Sequence, residues 1–148
     1  VDAPWGHTSG LLSLVPMPPG PRADNPLSIG PAGTVHCSLA DWGKFLTMHV
    51  AGARGEPTLL SAATMKRLHT PPAGGDYAQG WSVLHRSWGG PGVVLTHAGS
   101  NTMWFAVTWL APDKDLAFAV VTNRAKGNTD KLVDGVFAPL IKNYADPR

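Results

Sequence analysis

One stretch, Met103 to Leu110, constrains the fold more than any other part of the chain. Trp104, Ala106, Thr108 and Leu110 alternate with Phe105, Val107 and Trp109, so a strand here turns one set to each side of a sheet. Both sets are largely apolar, which fits a central strand covered on both faces. The same period of two starts near Tyr77 and predicts three more strands, at Gln79 to Arg86, Val93 to His97 and Leu116 to Thr122. Their connections are short and contain Gly89-Gly90, Gly99 and Pro112-Asp113, as hairpin turns require. The expected result is an antiparallel meander of about four strands.

Helical spacing flanks this sheet. Ser38 is an N-cap with Asp41 in the capping-box position, and Leu39, Trp42, Phe45, Leu46 and His49 form one stripe behind it. Gly52 is expected just past the end of that helix. Ser61 caps a shorter helix, Ala62 to His69, stopped by Pro71-Pro72. A last helix starts near Asn128, with Leu132, Val133, Val136, Phe137, Leu140, Ile141 and Tyr144 on one face and a kink expected at Pro139. The class is therefore α+β: two short helices, then the meander, then a C-terminal amphipathic helix packed on it. Residues 1–37 read as an irregular Pro/Gly-rich segment and residues 38–148 as the α/β portion. Six prolines between Pro16 and Pro31 argue against long elements there. That segment either lies over another surface or extends freely as a terminus.

Composition removes several function classes. The 148 residues are 43% apolar and 15% charged, so the chain is long and apolar enough for a core. A net charge of +2, with no basic run longer than Lys66-Arg67, argues against nucleic acid as partner. The run Leu116 to Val121 is too short to span a membrane. The single cysteine, Cys37, allows no internal disulfide and is expected to be a small buried packing residue. No P-loop, dinucleotide fingerprint or His-Glu-x-x-His pair is present, and no two of the six histidines share a metal-binding helix face. There is no Gly-x-Ser-x-Gly elbow, and no serine has a lysine three residues on. The chain begins at Val1 without a visible signal peptide, so it is expected to be a processed product or a piece, with its compartment unread.

The segment Thr96-His97-Ala98-Gly99-Ser100-Asn101 closes one strand and precedes the next. With Gly30-Pro31-Ala32-Gly33-Thr34-Val35 before Ser38-Leu39-Ala40-Asp41, and with Gly80-Trp81 and Val120-Val121-Thr122-Asn123, it resembles the C-terminal part of the serine β-lactamase and penicillin-binding-protein-like hydrolases. The likeness is to the class C β-lactamase and esterase branch, over roughly Gly30 to Tyr144. His97-Ala98-Gly99 looks like that family's third motif, His-x-Gly. The resemblance implies an incomplete β-lactamase-like fold that takes part in acyl-enzyme hydrolysis of an amide, β-lactam or ester. It implies that the Ser100 N–H is one oxyanion donor, that Gly99 lets substrate approach the backbone, and that His97 holds or donates a proton. No cofactor is implied, and the partner substrate is a small acyl compound. A periplasmic or secreted location fits the family.

Ala98, Asn101 and Asn123 are candidates for lining the substrate pocket, with turn and capping roles open for both asparagines. His97 stands equally as a structural histidine. Arg124 and Lys126 could meet a substrate carboxylate or be solvated. The family's Ser-x-x-Lys and Tyr-x-Asn motifs are not in this sequence, since Tyr77 is followed by Ala78-Gln79 and Tyr144 by Ala145-Asp146. The chain alone is therefore expected to be inactive. Its partner is expected to be the missing N-terminal half with the nucleophile, or a homo-oligomer that covers the bare sheet face. The alternative is a non-catalytic binding or partner module that keeps the sheet.

Overall fold

The computed structural model describes residues 4–146. Its centre is a four-stranded antiparallel sheet of β3 (Ser82–Leu84), β4 (Val94–Ser100), β5 (Phe105–Ala111) and β6 (Leu116–Thr122), ordered as in the chain. The register is unbroken, with Ser100 opposite Phe105 and Phe105 opposite Thr122. These strands follow the expected meander. The first is shorter than its pattern implied, because Gly80 takes φ +92° and Trp81 drops into the core before pairing begins.

A hairpin and three helices precede the sheet and one helix follows it. The strands β1 (Gly6–Ser9) and β2 (Leu14–Met17) pair as a hairpin, and α1 (Gly30–Gly33) is a single turn. Helices α2 (Leu39–Ala53) and α3 (Ala62–Leu68) come next, and α4 (Thr129–Leu140) ends the fold with a π-helical turn over Ile141–Ala145. Ser38 Oγ accepts the Asp41 N–H and Ser61 Oγ the Thr64 N–H, so both expected caps form.

Gly52 departs from its expected place. It lies inside α2 and is buried against Met65, where a Cβ would collide with the methionine side chain. The helix ends instead at Gly55, whose φ of +80° lets Gly55 N–H reach Gly52 and Glu56 N–H reach Ala51 in a Schellman pattern. Cys37 is also corrected: it is exposed, in the extended segment leading to the Ser38 cap.

The two sheet faces are built from alternate residues. Leu95 and Leu110 pack with Leu46 and Val50 of α2 and with Trp81. Val107 and Phe118 pack with Val133 and Phe137 of α4 and with Ala145, edged by Phe105, Trp109 and Trp88. Burying a side chain such as Phe137 contributes about 2–3 kcal/mol. The expected α4 stripe is wider than the face that covers it, so Leu132, Val136 and Tyr144 remain exposed. The chain runs helically through Pro139, which forgoes the bond to the Gly135 carbonyl, and then widens into the π turn closed by Asp146 N–H on the Ile141 carbonyl.

A histidine pair joins α2 and α3 beneath Trp81. His49 Nδ1 lies 2.8 Å from His69 Nε2, with the His49 ring tilted against the indole and the His69 ring edgewise to it. His69 Nδ1 is buried without a partner. A buried lone pair costs less than a buried orphan N–H, so the proton belongs on His69 Nε2, donating to His49.

Among the described residues no helix is long and apolar enough to cross a membrane, and no group of three His, Cys, Asp or Glu side chains could hold a metal ion.

Candidate functional site

His97, Gly99 and Ser100 lie at the end of β4, and the direction of their peptide groups follows from three hydrogen bonds. Thr96 Oγ1 donates to the Thr108 carbonyl at 2.8 Å, so that carbonyl faces β4. Thr108 Oγ1 donates to the Phe118 carbonyl at 2.8 Å, so that carbonyl faces β5. Val83 donates away from β4 to the Asp76 carbonyl at 2.7 Å. With Ser82 opposite Thr96 and His97 opposite Thr108, one phase satisfies all three. Leu95, His97 and Gly99 turn their N–H and C=O groups to β5, and Thr96, Ala98 and Ser100 turn theirs outward. Strand β3 meets this outward side only as far as Thr96. The Ser100 N–H therefore points out of the sheet at an edge where, among the described residues, no strand pairs.

Side chains sort by the same alternation. His97 and Gly99 share a face with Ala106, Thr108, Ala119 and Val121, the half of the α2 face beyond Leu95 and Leu110. His97, Gly99, Ala119 and Val121 are exposed there, and an added Cβ at Gly99 would meet nothing within 4 Å. Ala98 and Ser100 point to the opposite face. Ser100 Oγ accepts the Thr102 N–H at 2.8 Å, which holds Thr102 at φ +77° in the turn.

The two candidate asparagines are engaged structurally. Asn101 Oδ1 accepts from Met103 at 3.2 Å and Trp104 at 3.0 Å, closing the β4–β5 turn. Asn123 Nδ2 donates to the Trp5 carbonyl at 2.9 Å, and its own carbonyl accepts from His7 Nδ1 at 3.0 Å. These bonds dock the β1–β2 hairpin on the end of the sheet. His7 bridges Arg124 in parallel, and a Cβ at Gly6 would lie 2.7 Å from Met103 Cβ and from the Trp104 ring. Trp5-Gly6-His7 thus has a role in tertiary docking. Arg124 turns back on its own loop, donating to the Lys126 carbonyl at 3.0 Å and to Asn128 Oδ1 at 3.4 Å.

Tyr77 is the site neighbour that sequence reasoning missed. Its Oη lies 3.4 Å from His97 Nδ1. The bridge from Tyr77 to Ser82 folds the preceding loop back along β3, beside the unpaired end of β4. The turn glycines Gly74-Gly75 and Gly80 signal a reversal around Tyr77, but nothing in the sequence links it to a histidine twenty residues on. An apolar cleft of about 250 Å³ between β6 and α4 is lined by Val120, Val121, Leu132 and Val136 and reaches Arg124; His97 does not line it.

Neither the curated proteins nor the solved structures contain a match to this chain. The family model described as Beta-lactamase matches residues 2–141, nearly the whole length. The sheet with its flanking helices agrees with a partial fold of that kind, and the chain belongs to the Beta-lactamase family.

Proposed function

We propose that this chain is the C-terminal portion of a β-lactamase-related serine hydrolase of the class C and esterase branch, acting by acyl-enzyme hydrolysis. In this reading the attacking serine and its lysine belong to polypeptide outside these residues. The chain contributes one oxyanion donor, the Ser100 N–H, and a proton-holding imidazole, His97. The reading rests on one observation above all: the Ser100 N–H leaves the sheet at an edge unpaired among the described residues, three residues after His97 in the His-x-Gly context. An outward amide on a rigid strand is the geometry an oxyanion hole needs, because the donor is held in place before charge develops. Gly99 leaves the approach to that amide open. A nucleophile-bearing half would cover the bare end of the α2 face, where His97, Ala119 and Val121 are exposed. A homo-oligomer would cover the same surface in the alternative, non-catalytic reading.

The test joins this chain to a family N-terminal half carrying Ser-x-x-Lys and Tyr-x-Asn and measures acylation by a chromogenic β-lactam and a short-chain ester. The isolated chain is expected to turn over neither. In the fusion, Ser100→Pro, which deletes the amide proton, should lower the rate about 100–1000-fold, while Ser100→Ala should leave it within a few fold. Equal rates for the two variants would remove the oxyanion role.

A further inference from the structure

We infer that Tyr77 is a positioning residue for His97, fixing the neutral imidazole with its proton on Nε2. The inference deepens the acyl-transfer reading above and rests on it for its catalytic meaning, but its geometry stands alone. Tyr77 Oη lies 3.4 Å from His97 Nδ1, the one side-chain hydrogen bond that His97 makes among the described residues. A phenol O–H is a stronger donor than a phenol oxygen is an acceptor, and a bare imidazole nitrogen is a strong acceptor, so the favoured pairing has Tyr77 donating to Nδ1 and the ring's own proton on Nε2.

The loop that carries Tyr77 is built to hold it. Val83 N–H donates to the Asp76 carbonyl and Ala78 N–H to the Trp81 carbonyl, each at 2.7 Å, and Gln79 N–H reaches the Leu68 carbonyl at the end of α3 at 3.3 Å. Ala78 and Trp81 are buried, and Trp81 is anchored against Leu46 and Val50. An exposed tyrosine is thus mounted on a loop tied down on both sides, so little rotamer and backbone freedom is lost when the phenol meets the imidazole. The His97 backbone is held as well, on one side, by its pairing with Thr108 of β5. The consequence is directional. With Nδ1 occupied, Nε2–H is the nitrogen left to donate toward the open face that also holds Gly99.

The test reads the ring directly. Two-bond 15N–1H correlation spectra of the histidine side chains, taken at about pH 8 where imidazoles are neutral and assigned with His97→Gln, report which nitrogen carries the proton. The wild-type chain should show Nε2–H dominant at His97. Tyr77→Phe should raise the Nδ1–H share about threefold, as loss of one weak exposed hydrogen bond predicts, with the amide spectrum otherwise unchanged. Tyr144→Phe serves as the control and should leave the ratio alone. A wild-type ring protonated at Nδ1, or an unchanged ratio in Tyr77→Phe, would overturn the inference. In the fusion enzyme Tyr77→Phe should lower kcat with little change in KM. A fusion that never acylates defeats the hydrolase reading while the tautomer result still decides the role of Tyr77.

Discussion

The two faces of β5 received similar apolar sequence and met different fates. The face of Phe105, Val107 and Trp109 is covered at its centre, where Val107 and Phe118 are buried under α4 and the π turn, and Trp88 flanks it with its ring edgewise to Trp109 at 5.9 Å. The opposite face is sealed only where α2 lies over Leu95 and Leu110. Beyond that point Ala106 is half-buried and Ala119 and Val121 look outward beside His97. Small side chains, a glycine and a histidine occupy the open half, and large ones occupy the sealed regions. Packing density therefore marks which surface stabilises this chain and which stays open.

The sharpest way to break the contrast is a deletion on the sealed face. Phe137→Ala removes a buried ring from the α4 contact and should cost about 3–5 kcal/mol, read as a lower denaturation midpoint in urea. A loss below about 1 kcal/mol would show that α4 is not what holds that face.

The next effect is a pH dependence on the α2 side. Burial first, and then the charge on His69, hold His49 down at about 4, and burial lowers His69 as well. The unfolded chain binds these protons near 6.5, above the folded value. Stability is thus complete above that pH and falls as pH drops from about 6.5 to 4, by up to about 3 kcal/mol for His49. The melting temperature should fall over that window, and His49→Leu should flatten the fall. A profile equally steep in the variant would place the acid sensitivity elsewhere.

The smallest effect sharpens the comparison from the open half. Val121→Thr is expected to change stability by less than about 0.5 kcal/mol, because Val121 is already exposed. A cost above 1 kcal/mol would mean that this half is covered in solution.

Most of the sheet was legible because period two leaves an unambiguous trace. Phe105 to Leu110 alternates over a full strand, and β6 occupies the residues its pattern named. Helix α2 was legible from the Ser38 cap, but its end was not. Gly52 and Gly55 are both glycines at a plausible stop, and only the packing of Met65 against Gly52 separates them. The β1–β2 hairpin left no trace, since four-residue strands containing Pro16 carry too little pattern to read. It exists because Asn123 binds Trp5 and His7, more than a hundred residues away in sequence, and because Gly6 lies against Met103 and Trp104. At the site, the His-x-Gly segment could be picked out by residue type. The outward phase of Ser100 depends on where β3 stops pairing, and the Tyr77–His97 contact on how a loop folds back, neither of which is local.

Thr102 has a consequence of its own. A β-branched residue at φ +77° is uphill, and the turn keeps it there through bonds from Ser100 Oγ and Asn101 Oδ1. The hairpin tip is a loaded latch, and Asn101, which holds two of its amides, is the larger part of the catch. Exchanging the threonine for glycine would ease the tension and, by the same act, loosen the tip.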